Sequence, residues 1–243
     1  MPAAERRPGT TRYVVREGRP EDAPAMAEVH VRGWQTGCAG LIDADHLAGL
    51  SITQATRRWA GHLANPAPAT TVRVATEDTG TENVGTENVA TEATGTENTG
   101  TENVGTEYVG TENADTRVTD TVVGFVRVGR SIDPASTFGN APTPGELFEL
   151  YVGQPHWGTG VAAALHDAGL ALLAADGFVT ASLWVVRGNA RAIAFYRRRG
   201  WVPDGLVRTQ HEDGAGWEEL RFRRAIDLQG HGGPMPGASR VAP

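Results

Sequence analysis

The chain alternates between two hydrophobic periods, and the changes of period mark out its elements. Residues 12–16, with Val14 and Val15 between arginines, form a short β-like run. Pro20-Glu21-Asp22 then opens a helix, because proline suits a first turn and the acids face its positive end. That helix runs to about Thr36, with Met26, Ala27, His30 and Trp34 at helical spacing. A second helical region covers 43–63, where Ser51 and Gln54 make a capping-box pattern that allows two short helices. Apolar and β-branched runs at 71–75, 121–128, 146–152 and 178–186 predict strands. Residues 158–176 predict a helix ending before Gly177, and 189–199 a helix with Asn189 as its N-cap and Gly200 just past its end. The segments 201–210 and 216–224 predict a closing antiparallel pair with a turn at Asp213-Gly214.

A single strand–helix–strand unit, 146–186, thus sits among segments that connect as antiparallel neighbours. The fold class expected is α+β, a mixed and mostly antiparallel central sheet flanked by helices. The strands at 71–75 and 121–128 are separated by a tandem five-residue repeat, 76–115, reading TEDTG, TENVG, TENVA and onward. All units but TEYVG offer at most one valine and no tyrosine, so the composition predicts a solvated, flexible loop grown from a β-hairpin turn. The expected organisation is a flexible 1–11, one domain over 12–227 interrupted by 76–115, and a Gly/Pro-rich tail from 228 to 243.

Charge alters this picture. The chain of 243 residues is −7 overall, yet the repeat carries ten acidic side chains and no basic one, leaving +3 on the rest. A mildly basic domain suits an anionic ligand. Every basic residue is arginine, which excludes Schiff-base chemistry and phosphate loops that need lysine. The lone Cys38 excludes a disulfide framework, and the seven histidines form no metal-binding spacing, so no metal is expected. No apolar run is long enough for a membrane span and the N-terminus has no secretory pattern, so a cytoplasmic protein is expected.

The candidate chemistry lies where the 146–152 strand ends. Pro155 turns the chain, and Trp157-Gly158-Thr159-Gly160-Val161-Ala162-Ala163 opens the next helix with small residues. Bare amides and the helix dipole at such an end attract phosphate. Gly158 to Ala163 also fits the dinucleotide pattern G-x-G-x-x-A, but five residues intervene after the strand and no second βαβ half follows, which weighs against NAD(P).

More of the chain resembles the GNAT superfamily of acyl-CoA-dependent N-acyltransferases. Its pyrophosphate motif, [QR]-x-x-G-x-[GA], is matched at Gly160 and Ala162, with Trp157 departing from Gln or Arg. Asn189-x-x-Ala192-x-x-Phe195-Tyr196-x-x-x-Gly200-Trp201 is similar to its second hallmark, and Glu146-Leu-x-x-Leu150-Tyr151-Val152 to its central strand. The resemblance implies transfer of an acetyl group from acetyl-CoA to an amine by direct attack in a ternary complex. It implies that Leu150, Tyr151 and Val152 bind the pantetheine arm where their strand splays from the next parallel one. Trp157, Gly158, Thr159, Gly160, Val161, Ala162 and Ala163 would hold the pyrophosphate, and Asn189 would cap its helix or also bond the pantetheine. Tyr196 would protonate the leaving thiolate and Glu146 would act as base. Glu146 and Glu149, three apart on a strand, are expected on opposite faces. The expected partners are acetyl-CoA and an amine acceptor, with a homodimer allowed, and neither nucleic acid nor membrane. The alternatives are a non-catalytic acyl-CoA-binding module and, further off, an NAD(P)-dependent enzyme.

Overall fold

Arg16 settles how the chain enters its first helix. Its guanidinium makes two 2.8 Å bonds to the Asp22 carboxylate, which also accepts the Arg19 amide at 2.8 Å. Asp22 therefore ties strand β1 (Tyr13–Glu17) to a 3-10 turn, Pro20–Asp22, and the α-helix starts only at Ala23. The computed structural model describes residues 13–77, 121–133 and 143–227; the N-terminal run, most of the repeat, the centre of the 133–144 loop and the tail lie outside them. After β1 come helices α1 (Ala23–Gly37), α2 (Ala44–Gly49) and α3 (Ile52–Ala64), then strands β2 (Thr70–Glu77), β3 (Val122–Arg130) and β4 (Gly145–Val152). Helix α4 (Val161–Ala175), β5 (Thr180–Val186), α5 (Ala190–Arg198), β6 (Val202–Glu212) and β7 (Ala215–Ala225) complete the order. The 43–63 region is two helices, because Ser51 accepts the Gln54 amide at 3.3 Å and restarts the chain as α3.

The strands form one seven-stranded sheet in the order β1-β2-β3-β4-β5-β7-β6. Among the described strands only β4 and β5 run parallel; every other pair is antiparallel, including the β2–β3 hairpin on either side of the repeat. With one parallel pair the sheet is not doubly wound, so the dinucleotide pattern has no matching fold here. Strand β2 runs into the first repeat unit: Thr76 is buried and Glu77 pairs with Tyr13 of β1. Strands β6 and β7 close through Asp213 and Gly214 at φ 48° and 83°, the geometry of a tight hairpin turn. No helix among the described residues is long and apolar enough to cross a membrane.

Each face of the sheet carries its own core. Helix α4 lies on one, burying Leu165 and Leu173 against Val126, Val128, Leu147 and Leu183. It can approach closely because Gly169 has no side chain; a Cβ there would lie 3.0 Å from Val128. On the other face α1 and α3 bury Met26 and Trp59 against Val74 and Phe125, with Trp59 and Phe125 edge to face at 4.7 Å. Fully burying a side chain such as Phe125 contributes about 1.5–3 kcal/mol.

Candidate active site

The turn after β4 is built from backbone. A 3-10 turn, Gln154–His156, reverses the chain, and the Trp157 indole N–H donates back to the Val152 carbonyl at 2.8 Å. Gly158 and Gly160 follow at φ +82° and +95°, the left-handed region that favours glycine. Those two residues delay the predicted helix from 158 to Val161, with Gly160 as its N-cap. No side chain caps this end, and the first amide bonding back into the helix is that of Ala164, to the Gly160 carbonyl at 3.1 Å. The amides of Gly160, Val161, Ala162 and Ala163 thus have no acceptor within the helix. A Cβ added at Gly158 or Gly160 would meet no atom within 4 Å, so both glycines border open space. Bare amides, small residues and an aligned helix dipole fit a phosphate group.

The sheet opens beside this turn. Strands β4 and β5 pair only at Gly145 with Ala181 and Glu146 with Ser182, and from Leu147 onward β4 has no pairing on that side. A cavity of about 1500 Å³ occupies the opening, walled by α1, β4, β5, α5 and the start of α4. All the predicted site residues line it except Thr159 and Val161. The Thr159 hydroxyl donates to the His156 carbonyl at 2.7 Å, and the Val161 side chain is buried in the core. Asn189 caps α5 by accepting the Ala192 amide at 3.1 Å.

The two strand glutamates share a face, contrary to the alternation expected of a regular strand. The β3–β4 register slips between Arg127 and Val128, so Leu147 pairs with Val128, Glu149 with Arg127, and Phe148 is the extra residue. This bulge puts Glu146 and Glu149 on the same side, and both line the cavity. Their environments differ. Glu149 is ion-paired with Arg127. Glu146 is 5% exposed and accepts the Ser131 hydroxyl at 2.5 Å. Burial pushes its carboxyl above the ordinary glutamate value, against the Ser131 bond and nearby arginines.

Tyr196 packs between Phe195 and Trp201, ring centroids 5.3 and 6.1 Å away. Burial pushes its phenol up, keeping it protonated. Among the described residues its hydroxyl has no hydrogen-bond partner, and the residue lines the cavity. Cys38 is buried, and burial with the Glu219 charge raises its thiol to about 11, which disfavours the thiolate that a nucleophile needs.

Sequence reasoning missed the far wall. There Trp34 donates its indole N–H to the Tyr151 hydroxyl at 2.5 Å. Arg208 lies over the Trp184 ring, 4.3 Å from its centroid, and bonds Glu219 at 2.7 Å, while Trp217 donates to the same carboxylate at 3.2 Å. The available signal is that Arg208 and Glu219 stand opposite each other in the β6–β7 register. His30, close to Tyr151, is held neutral, its pKa driven to about 3 by burial and the Arg58 charge.

A family model described as "Acetyltransferase (GNAT) family" matches residues 93–201, a span that takes in β3 to α5. No curated protein matches the sequence. Solved structures share the fold at low identity. The PaiA N-acetyltransferase from Thermoplasma acidophilum, in complex with coenzyme A, is 13% identical, with 88% of this chain and 99% of that chain covered and a TM-score of 0.54. A GCN5-related N-acetyltransferase from Rhodopseudomonas palustris is 16% identical, with 90% and 98% covered and a TM-score of 0.56. A ribosomal-protein-alanine N-acetyltransferase from Brucella melitensis is 15% identical, with 88% and 99% covered and a TM-score of 0.52. The family match over 93–201, the opened sheet and the bare helix start agree, and on them this chain is similar to the GNAT acetyltransferases and shares their fold.

Proposed function

We propose that this chain is an N-acetyltransferase that moves an acetyl group from acetyl-CoA to a primary amine of a small molecule or a protein, by direct attack with both substrates bound. The observation that carries this reading is the parting of β4 from β5 directly beside the uncapped N-terminus of α4. Acetyl-CoA supplies a thioester whose acyl carbon is open to attack. The amides of Gly160 to Ala163 hold the diphosphate, and the unpaired edge of β4 from Leu150 to Val152 takes the pantetheine arm. Gripping the coenzyme at two places fixes its reactive end in line with the amine, which lowers the barrier through orientation. The amine arrives mostly protonated at neutral pH, and Glu146 removes that proton, directly or through a water. Its raised carboxyl pKa brings it nearer the operating pH, where a base works best. Tyr196, kept protonated, donates its O–H to the departing sulfur.

An assay of released CoA thiol over a panel of amines tests the function. Coenzyme-dependent thermal stabilisation together with thiol release on at least one amine is expected. Stabilisation by CoA without release on any amine would favour a non-catalytic acyl-CoA-binding module, and no response to CoA would overturn both. Tyr196→Phe is expected to lower kcat by about 100-fold while CoA affinity is kept. Unchanged turnover would remove Tyr196 from the mechanism.

A further inference from the structure

We propose that Arg191 completes the diphosphate site, bringing from α5 the cationic donor that Trp157 leaves out of the turn. This inference rests on the coenzyme reading above. The first position of the turn motif, Gln or Arg in the family pattern, is Trp157, and its one polar hydrogen is committed to the Val152 carbonyl at 2.8 Å. The turn therefore offers backbone donors and no charge of its own. Arg191 stands in the first turn of α5, with its guanidinium carbon 3.7 Å from the centroid of the Trp157 ring. That is stacking distance, and the cation over the indole face is itself favourable.

Stacking covers one face of the guanidinium and leaves its N–H groups, in the plane, able to donate. Two parallel donors from one fork match two oxygens of a phosphate. The platform is fixed, because the bond to Val152 holds the indole, so the charge is presented with less freedom to lose on binding. Arg191 is exposed, and like Gly158 and Gly160 it lines the cavity. Among the described residues no carboxylate pairs with it. Other cavity arginines are engaged: Arg127 with Glu149, Arg199 with Asp167 at 2.6 Å, and Arg208 with Glu219. Arg198, also on the cavity, is seven positions further along α5, about 10 Å away along the helix axis. Arg191 is the cation stacked directly on the turn that carries the bare amides.

Affinities for CoA, for dephospho-CoA and for pantetheine, measured by calorimetry on the full chain and on Arg191→Met and Arg191→Lys, test this. Arg191→Met should weaken CoA and dephospho-CoA by the same factor, roughly tenfold, the effect of one charge-assisted contact. Pantetheine, which carries no phosphate, should bind both proteins alike. Arg191→Lys should fall between, since lysine keeps the charge and loses the stacked fork. A loss seen with CoA and absent with dephospho-CoA would assign Arg191 to the 3′-phosphate and overturn the proposal. So would equal affinities in wild type and Arg191→Met. Failure of the wild type to bind either nucleotide would overturn the coenzyme reading itself, and this inference with it.

Discussion

The two ends of the cavity are made of different materials. The end at α4 is main chain: left-handed glycines, uncapped amides and a strand edge without a partner, all within residues 147–163. The far end is side chain: Trp34 from α1, Glu146 and Glu149 from β4, Trp184 from β5, Arg208 from β6 and Glu219 from β7. A site of main-chain groups needs a conformation, and it survives a change such as Trp157 at a motif position. A site of side chains needs particular identities brought together from distant parts of the chain. Changes at the far end should therefore alter chemistry and acceptor preference, while changes at the α4 end should alter coenzyme affinity.

The strongest test of that division is Glu146→Gln. If Glu146 is the base, kcat should fall by about 100- to 10,000-fold, with CoA affinity unchanged by calorimetry. The acid limb of the wild-type kcat/KM profile should lie above the ordinary glutamate range, because burial raises this carboxyl, and it should be missing from whatever activity the variant retains. Stability gives an independent sign. With its pKa raised by folding, Glu146 binds more protons in the native than in the unfolded state. Its ionisation therefore lowers stability as pH rises from the ordinary glutamate value through the raised one. Glutamine cannot ionise and can still accept from Ser131. The variant should melt higher than wild type at neutral pH, and the gap should shrink in acid. A variant that melts lower at neutral pH and keeps its turnover would make Glu146 a structural carboxylate.

Gly160→Val acts at the opposite end. At φ +95° a β-branched residue is strained, and the turn must move to relieve it. A strain of this kind costs about 1–3 kcal/mol, so CoA should bind roughly 10- to 100-fold more weakly. No protein atom lies within 4 Å of the added Cβ, so packing is not disturbed directly. If calorimetry finds CoA affinity intact, the α4 end does not depend on its main-chain conformation and the contrast fails there.

The same division explains what could be read from the sequence. Local rules held where one short segment decides its own geometry: the Asn189 cap, the Ser51 restart of α3, the turn at Asp213-Gly214 and Gly200 past α5. The hairpin around the repeat was legible from the two flanking strands; its flexible-loop reading fails at Thr76 and Glu77, which extend β2, and otherwise falls on residues outside those described. The start of α4 was misplaced because small residues read as helix while two glycines are left-handed. The shared face of Glu146 and Glu149 was missed because Phe148 carries no mark of a bulge, and one extra residue inverts every later facing. The far wall was not legible, since its charges find their partners only when α1, β6 and β7 close around β4.

Arg208→Gln probes that wall most gently. Arg208 is 37% exposed and Glu219 12%, so water screens the pair, and its loss is worth at most about 1 kcal/mol. The Glu219 carboxylate keeps the Trp217 indole as donor and is not stranded. What does change is the charge held over Trp184, on the side of the cavity away from the coenzyme turn. The acceptor KM should shift about 2- to 5-fold, in a direction set by the acceptor's own charge, with kcat and CoA affinity almost unchanged. A matching shift in CoA affinity would mean that the wall of side chains and the main-chain turn respond as one unit, and the division between them would not survive it.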